Sequence, residues 1–167
     1  MKKNRLFIVA MAGLCIIVSC TKSIDNSAEN KKKAEAFETA VKNNRYRLVD
    51  FYSDKPVDYE QTDTEIRQET DLRAYIKPYL HDDFNIFDAT GILKVEQKTI
   101  KISGNDSAII CRNYALSTDK KFVYLDFIDY FYDASRYKLQ EFSDSAFIIY
   151  IDWPTGAKLF SKFRKIN

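Results

Sequence analysis

Apolar and polar positions divide the chain into regimes of different character. Leu6 to Val18 is an almost unbroken apolar run that follows the cations Lys2, Lys3 and Arg5. Thr21 to Lys33 is polar and ends in Lys31-Lys32-Lys33. Such a composition cannot bury enough surface to order itself, and it predicts a flexible tether over 20–33. Ala34 to Val41 then places Ala36, Phe37, Ala40 and Val41 at helical spacing, which predicts a short helix capping the domain.

From Arg45 onward, aromatic and β-branched stretches alternate with turn residues. They predict strands at 45–52, 83–88, 92–102, 107–116, 121–131, 136–142, 146–152 and 157–164. The punctuation fits, as in Asp88-Ala89-Thr90-Gly91, Ser143-Asp144-Ser145 and Trp153-Pro154-Thr155-Gly156. Tyr137 and Leu139 alternate with Lys138 and Gln140, the signature of a strand buried on one face. Short links between consecutive strands favour an antiparallel meander. Eight such strands suit an up-and-down barrel, which closes on itself and leaves no exposed edge. Ser53 to Leu80 interrupts the rhythm. Its front half is loop-like, and its back half sets Leu72, Tyr75, Ile76 and Tyr79 at helical spacing. This predicts a long loop carrying a short helix over 70–80, with Tyr75 and Tyr79 as candidate lid residues.

Composition narrows the function classes. The 26 Lys and Arg nearly balance 24 Asp and Glu, so the chain lacks the basic excess of a nucleic-acid binder. Three cysteines cannot build a disulfide framework. A single histidine leaves little for His-based catalysis or metal binding. No Gly-rich phosphate loop, G-x-S-x-G elbow or H-E-x-x-H pair is present, so neither enzymatic activity nor a metal or other cofactor is expected.

The apolar run at the start is shorter than the roughly 20 residues a spanning helix needs, and it fits the h-region of a secretory signal peptide. It ends in Ile17-Val18-Ser19-Cys20. This resembles the lipobox of bacterial lipoproteins, which implies cleavage after residue 19 and acylation of Cys20. Thr21 is not Asp, which in enteric-type sorting implies the outer membrane rather than the inner one, here on its periplasm-facing leaflet. The expected organisation is therefore a signal peptide at 1–19, a lipid-anchored tether at 20–33 and a barrel domain at 34–167. Processing would remove three cations and no acids, leaving a mature chain of net charge −1.

The layout of the domain carries a second resemblance. Tyr46-Arg47-Leu48-Val49-Asp50 in the first strand, a long loop, then His81-Asp82-Asp83-Phe84-Asn85-Ile86-Phe87 running into Ala89-Thr90-Gly91 resembles the small lipocalin-like lipoproteins of gut Gram-negative bacteria. The matching positions are Asp82, Asp83, Phe87 and Gly91. Tyr46 stands where that family usually has Trp, and His81 where many members have a cysteine, so a family disulfide is not expected. The resemblance implies an all-β, eight-stranded lipocalin-like barrel that binds a small apolar molecule at its mouth.

Candidate chemistry is sparse. His81, Asp82 and Asp83 form a cluster at a strand entry, and His81 and Asp83 would share one side of a strand. Cys111 is the one thiol left after processing, expected as a small buried hydrophobe with Arg112 pointing the opposite way. The stretch Phe122 to Asp133 sets Val123, Leu125 and Phe127 on one face and Tyr124, Asp126 and Tyr130 on the other. Either face can be the inward one. If the second is, Tyr124, Asp126 and Tyr130 line a ligand cavity, since aromatic walls with few polar groups suit pockets. Trp153 is either an end cap or an exposed stacking residue.

The sequence thus predicts an envelope lipoprotein, anchored to the membrane through Cys20, that binds a small hydrophobic or amphipathic ligand. The alternatives are a docking module for an envelope protein with a filled barrel core, or a glycan-binding accessory lipoprotein. An internal cavity of about 300 Å³ or more separates the first reading from the second.

Overall fold

The stretches of β-branched and aromatic residues after Arg45 do form strands, and their short links turn them into one meander. A computed structural model describes residues 26–60, 67–101, 107–128 and 134–167, with the side chains of 128, 134 and 135 not described. The strands are β1 (Arg45–Val57), β2 (Glu69–Asp71), β3 (Phe84–Phe87), β4 (Ile92–Glu96), β5 (Ile109–Thr118), β6 (Val123–Ile128), β7 (Ala134–Phe142), β8 (Ala146–Asp152) and β9 (Lys158–Ile166). From β3 to β9 each strand pairs antiparallel with the next, and β1 pairs with both β3 and β9. The result is a closed, eight-stranded, up-and-down lipocalin-like barrel, with the short β2 laid along the far end of β1.

Two bulges reconcile the sequence pattern with closure. In β1, Leu48 faces Phe163 and Asp50 faces Lys162, so Val49 is an extra residue that reverses which side chains point inward. Tyr46 and Leu48 face in before the bulge, and Phe51 and the buried Ser53 do so after it. A second bulge falls between Leu139 and Glu141.

One end of the barrel is closed by α1 (Ser27–Val41). The helix begins seven residues earlier than predicted, inside the segment expected to be a tether. Its buried stripe is Asn30, Ala34, Phe37 and Val41, while Ala36 is exposed. Asn30 explains the early start: its Nδ2 donates to the carbonyl of Asp119 at 3.0 Å, and the N–H of Asn26 donates to that of Lys120 at 3.2 Å. These bonds tie the first turns to the β5–β6 link. Phe37 is fully buried, edge-on to Phe142 and Phe147. The helix ends where Asn43 takes a left-handed φ of 58° and donates its N–H to Phe87 at 2.7 Å. Residues 1–19, expected as a signal peptide, and Cys20 lie outside the described residues.

The helix predicted over 70–80 is replaced by β2 and two short 3-10 turns, Arg73–Tyr75 and Pro78–Leu80. Pro78 is the physical reason. Its ring disfavours helical backbone at the residue before it, and Lys77 is extended, with ψ at 139°. Leu72 and Ile76 are buried all the same, so the apolar spacing marks a packed face without a helix.

Candidate functional site

The barrel interior is half filled and half open. Next to α1, Tyr46, Phe87, Tyr114 and Phe147 pack edge to face around Phe37, with ring centroids 5.0–6.4 Å apart. Gly91 permits this packing: at φ +80° it brings its carbonyl within 2.8 Å of the Tyr114 N–H. Beyond these rings the lumen holds a cavity of about 230 Å³, lined by residues from all eight barrel strands. Its apolar wall includes Leu93, Val95, Phe127, Ile149 and Phe163, and Leu80 reaches it from the second 3-10 turn.

Four polar side chains join that wall together with Tyr137: Asp83, Asn85, Arg112 and Ser161. Arg112 is inward because it occupies the β5 register that also places Ile110, Tyr114 and Leu116 inside. Cys111 is therefore exposed on the outside, against the expectation of a buried thiol. Asp83 is the unusual member. It is fully buried, and neither carboxylate oxygen accepts a hydrogen bond. Burial pushes its pKa up; the nearby Lys98 backbone N–H opposes that shift, and the neighbouring Asp82 adds to it. Asp82 is instead tied down, accepting from the Thr99 N–H at 2.9 Å. His81 is exposed in the turn, so it does not share a side with Asp83.

Tyr124 and Asp126 are not in this cavity. Val123, Leu125 and Phe127 take the inward face of β6, which leaves Tyr124 and Asp126 outside. There the Arg136 guanidinium meets Asp126 at 2.7 Å and lies 4.7 Å from the Tyr124 ring centroid. The Tyr124 hydroxyl donates to Asp119 at 2.7 Å, and Ser117 donates to Asp126 at 2.8 Å. Arg136 holds the Asp126 carboxyl below the usual range, and the bond to Asp119 pushes the Tyr124 hydroxyl up. This is a surface network that pins β5, β6 and β7 together. Tyr130 lies outside the described residues.

Trp153, Tyr75 and Tyr79 belong to the end of the barrel opposite α1. Trp153 and Tyr75 pack on a second small core of Val57, Leu72, Ala157 and Leu159. Trp153 is stacked on Tyr59 at 5.6 Å, so that face of the indole is covered rather than offered to a sugar. The Tyr75 hydroxyl donates to Glu69 at 3.0 Å. Of the predicted lid, Leu80 lines the cavity, whereas Tyr75 and Tyr79 do not. Sequence reasoning missed Asp83 and Arg112 as lumen residues. The register signal for Arg112 was present, because Ile110 and Tyr114 flank it at a spacing of two.

Compared with known proteins, the chain matches no family model, no curated protein and no solved structure.

Proposed function

We propose that this chain is a non-enzymatic binding protein of the bacterial envelope, held to the membrane through acylated Cys20, whose barrel lumen takes one small amphipathic molecule. The observation that carries the reading is the cavity of about 230 Å³ lined by residues of all eight strands. A barrel serving only as a scaffold would gain by filling that space, since each lost contact in a void costs dispersion energy. Its walls also match a binding site in chemistry, being mostly apolar with a few polar groups. The volume falls short of the roughly 300 Å³ set above as the mark of a binding cavity, so the lumen reading holds only for a ligand smaller than the drug-sized class. Filling of the α1 end confines entry to the end where Leu80 and Asp83 lie.

The anchor rests on the sequence alone. Cations, a short apolar run and Ile17-Val18-Ser19-Cys20 succeed one another in the order that lipoprotein processing requires. Each buried methylene of an acyl chain adds about 0.8 kcal/mol, and two or more chains hold a protein stably. The mature domain would then sit at the periplasm-facing leaflet of the outer membrane.

Native mass spectrometry of the chain purified from its own host tests the lumen reading. A small-molecule adduct is expected on the wild type and should vanish in Ser161→Trp, where the indole occupies the lumen. Bare protein in both preparations, or an adduct that survives the substitution, would overturn the reading.

A further inference from the structure

A carboxylate that is fully buried without a partner is costly, and native structures remove that cost by protonation or by supplying a counter-group. Asp83 has little counter-group of its own: no partner meets its oxygens in hydrogen-bonding geometry, and only the backbone N–H and the charge of Lys98 act in its favour, although the side chain lines the cavity. The cations on the neighbouring strands and on the link after β4 have other partners. Lys98 reaches Glu96 at 3.2 Å and sits 4.6 Å from the Phe84 ring centroid. Arg45 also reaches Glu96, at 3.1 Å, and Arg47 lies 4.8 Å from the centre of the same ring. Arg112 shares the lumen but stands opposite Leu93, whereas Asp83 precedes the Phe84–Glu96 pair. At least three residues of β4 separate those levels, roughly 10 Å at about 3.3 Å per residue.

Resting on the reading of the lumen as a ligand site, we propose that the ligand is a small organic amine. Its ammonium group sits on the Asp83 carboxylate, and its apolar part lies against Phe127, Ile149 and Phe163. An ammonium supplies both the donors and the charge that Asp83 lacks, and charge-assisted bonds of this kind are about twice as strong as neutral ones. A neutral alcohol of the same shape supplies one donor and no charge. An anion meets the carboxylate with like charge. At Asp83 the ranking is therefore amine above alcohol above carboxylate, whereas a carboxylate placed deeper in the lumen meets Arg112.

Three matched probes test this ranking: 2-phenylethylamine, 2-phenylethanol and 3-phenylpropionate, titrated calorimetrically into the full chain at pH 7. The amine is expected to bind about tenfold or more tighter than the alcohol, and any binding of the carboxylate should be insensitive to Asp83→Asn. In Asp83→Asn the preference for the amine should disappear while the alcohol still binds. Equal binding of amine and alcohol by the wild type, or a preference that survives Asp83→Asn, overturns the role of Asp83 and leaves the lumen site standing. Failure of all three probes to bind overturns the lumen reading as well. The wild-type comparison decides the matter by itself if Asp83→Asn does not fold.

Discussion

Phe37→Ala would show whether α1 is part of the barrel or a lid resting on it. The ring is fully buried and sits edge-on to Phe142 at 5.5 Å and to Phe147 at 5.3 Å. Truncating a buried phenylalanine costs about 3–5 kcal/mol, and the size depends on how far the surroundings collapse. Here collapse is restricted. Phe147 is stacked on Phe163 at 4.8 Å and held edge-on by Tyr46 at 5.0 Å, so it cannot move into the hole without breaking those contacts. The cost therefore belongs in the upper half of the range, about 4 kcal/mol. For a domain of this size that corresponds to a fall in Tm of roughly 10–20 °C. Calorimetry together with circular dichroism at helix and aromatic wavelengths measures it. One cooperative transition at the lower temperature is expected. A loss below about 1 kcal/mol, or a helix that melts separately over an unshifted barrel, would refute the claim that Phe37 completes the core.

Other substitutions probe other parts of the molecule. Gly91→Ala should destabilise by about 1–2 kcal/mol, because it puts a Cβ at φ +80°, 3.3 Å from the Tyr114 carbonyl; an unchanged Tm would contradict this. Asp83 has a pKa raised above its ordinary 3.8, so its penalty is absent below that value, grows as pH rises from there to the raised one and is constant above it. Asp83→Asn should therefore gain thermal stability over the wild type at pH 7 and lose that advantage near pH 3.5; a difference independent of pH would count against it. Asp126 is held low by Arg136, so its stabilisation is present above 3.8 and disappears as pH falls through its lowered value. Asp126→Asn should then lose most stability relative to the wild type at neutral pH and little at pH 2, and equal losses at both would contradict the pairing. Cys20→Ala should move the protein from the membrane to the soluble fraction on cell fractionation, and unchanged retention would rule out the anchor.

Much of the architecture could be read in advance because strand periodicity is written in neighbouring residues. Tyr137 and Leu139 alternate with Lys138 and Gln140, and both hydrophobic residues do pack on the core. The face of β6 could not be assigned from its own residues, since each side of Phe122–Asp133 mixes aromatics with apolar or acidic groups. It is settled by partners on the two adjacent strands, Arg136 of β7 and Ser117 of β5, which hold Asp126 outside. The helix predicted over 70–80 does not form because Pro78 outweighs the apolar spacing around it. The early start of α1 depends on Asn30 meeting the Asp119 carbonyl, a tertiary contact that no local propensity encodes. The site was the least legible part. Charged residues are almost never fully buried unless paired, so Asp83 and Arg112 read naturally as surface groups. Only barrel closure turns them toward the lumen.

Crystallography of the chain purified from its own host, without added ligands, bears most directly on the claim that the lumen is a binding site. Non-protein density is expected between Asp83 and the wall formed by Phe127, Ile149 and Phe163. A lumen holding only ordered water, or collapsed until those side chains touch, would contradict that claim.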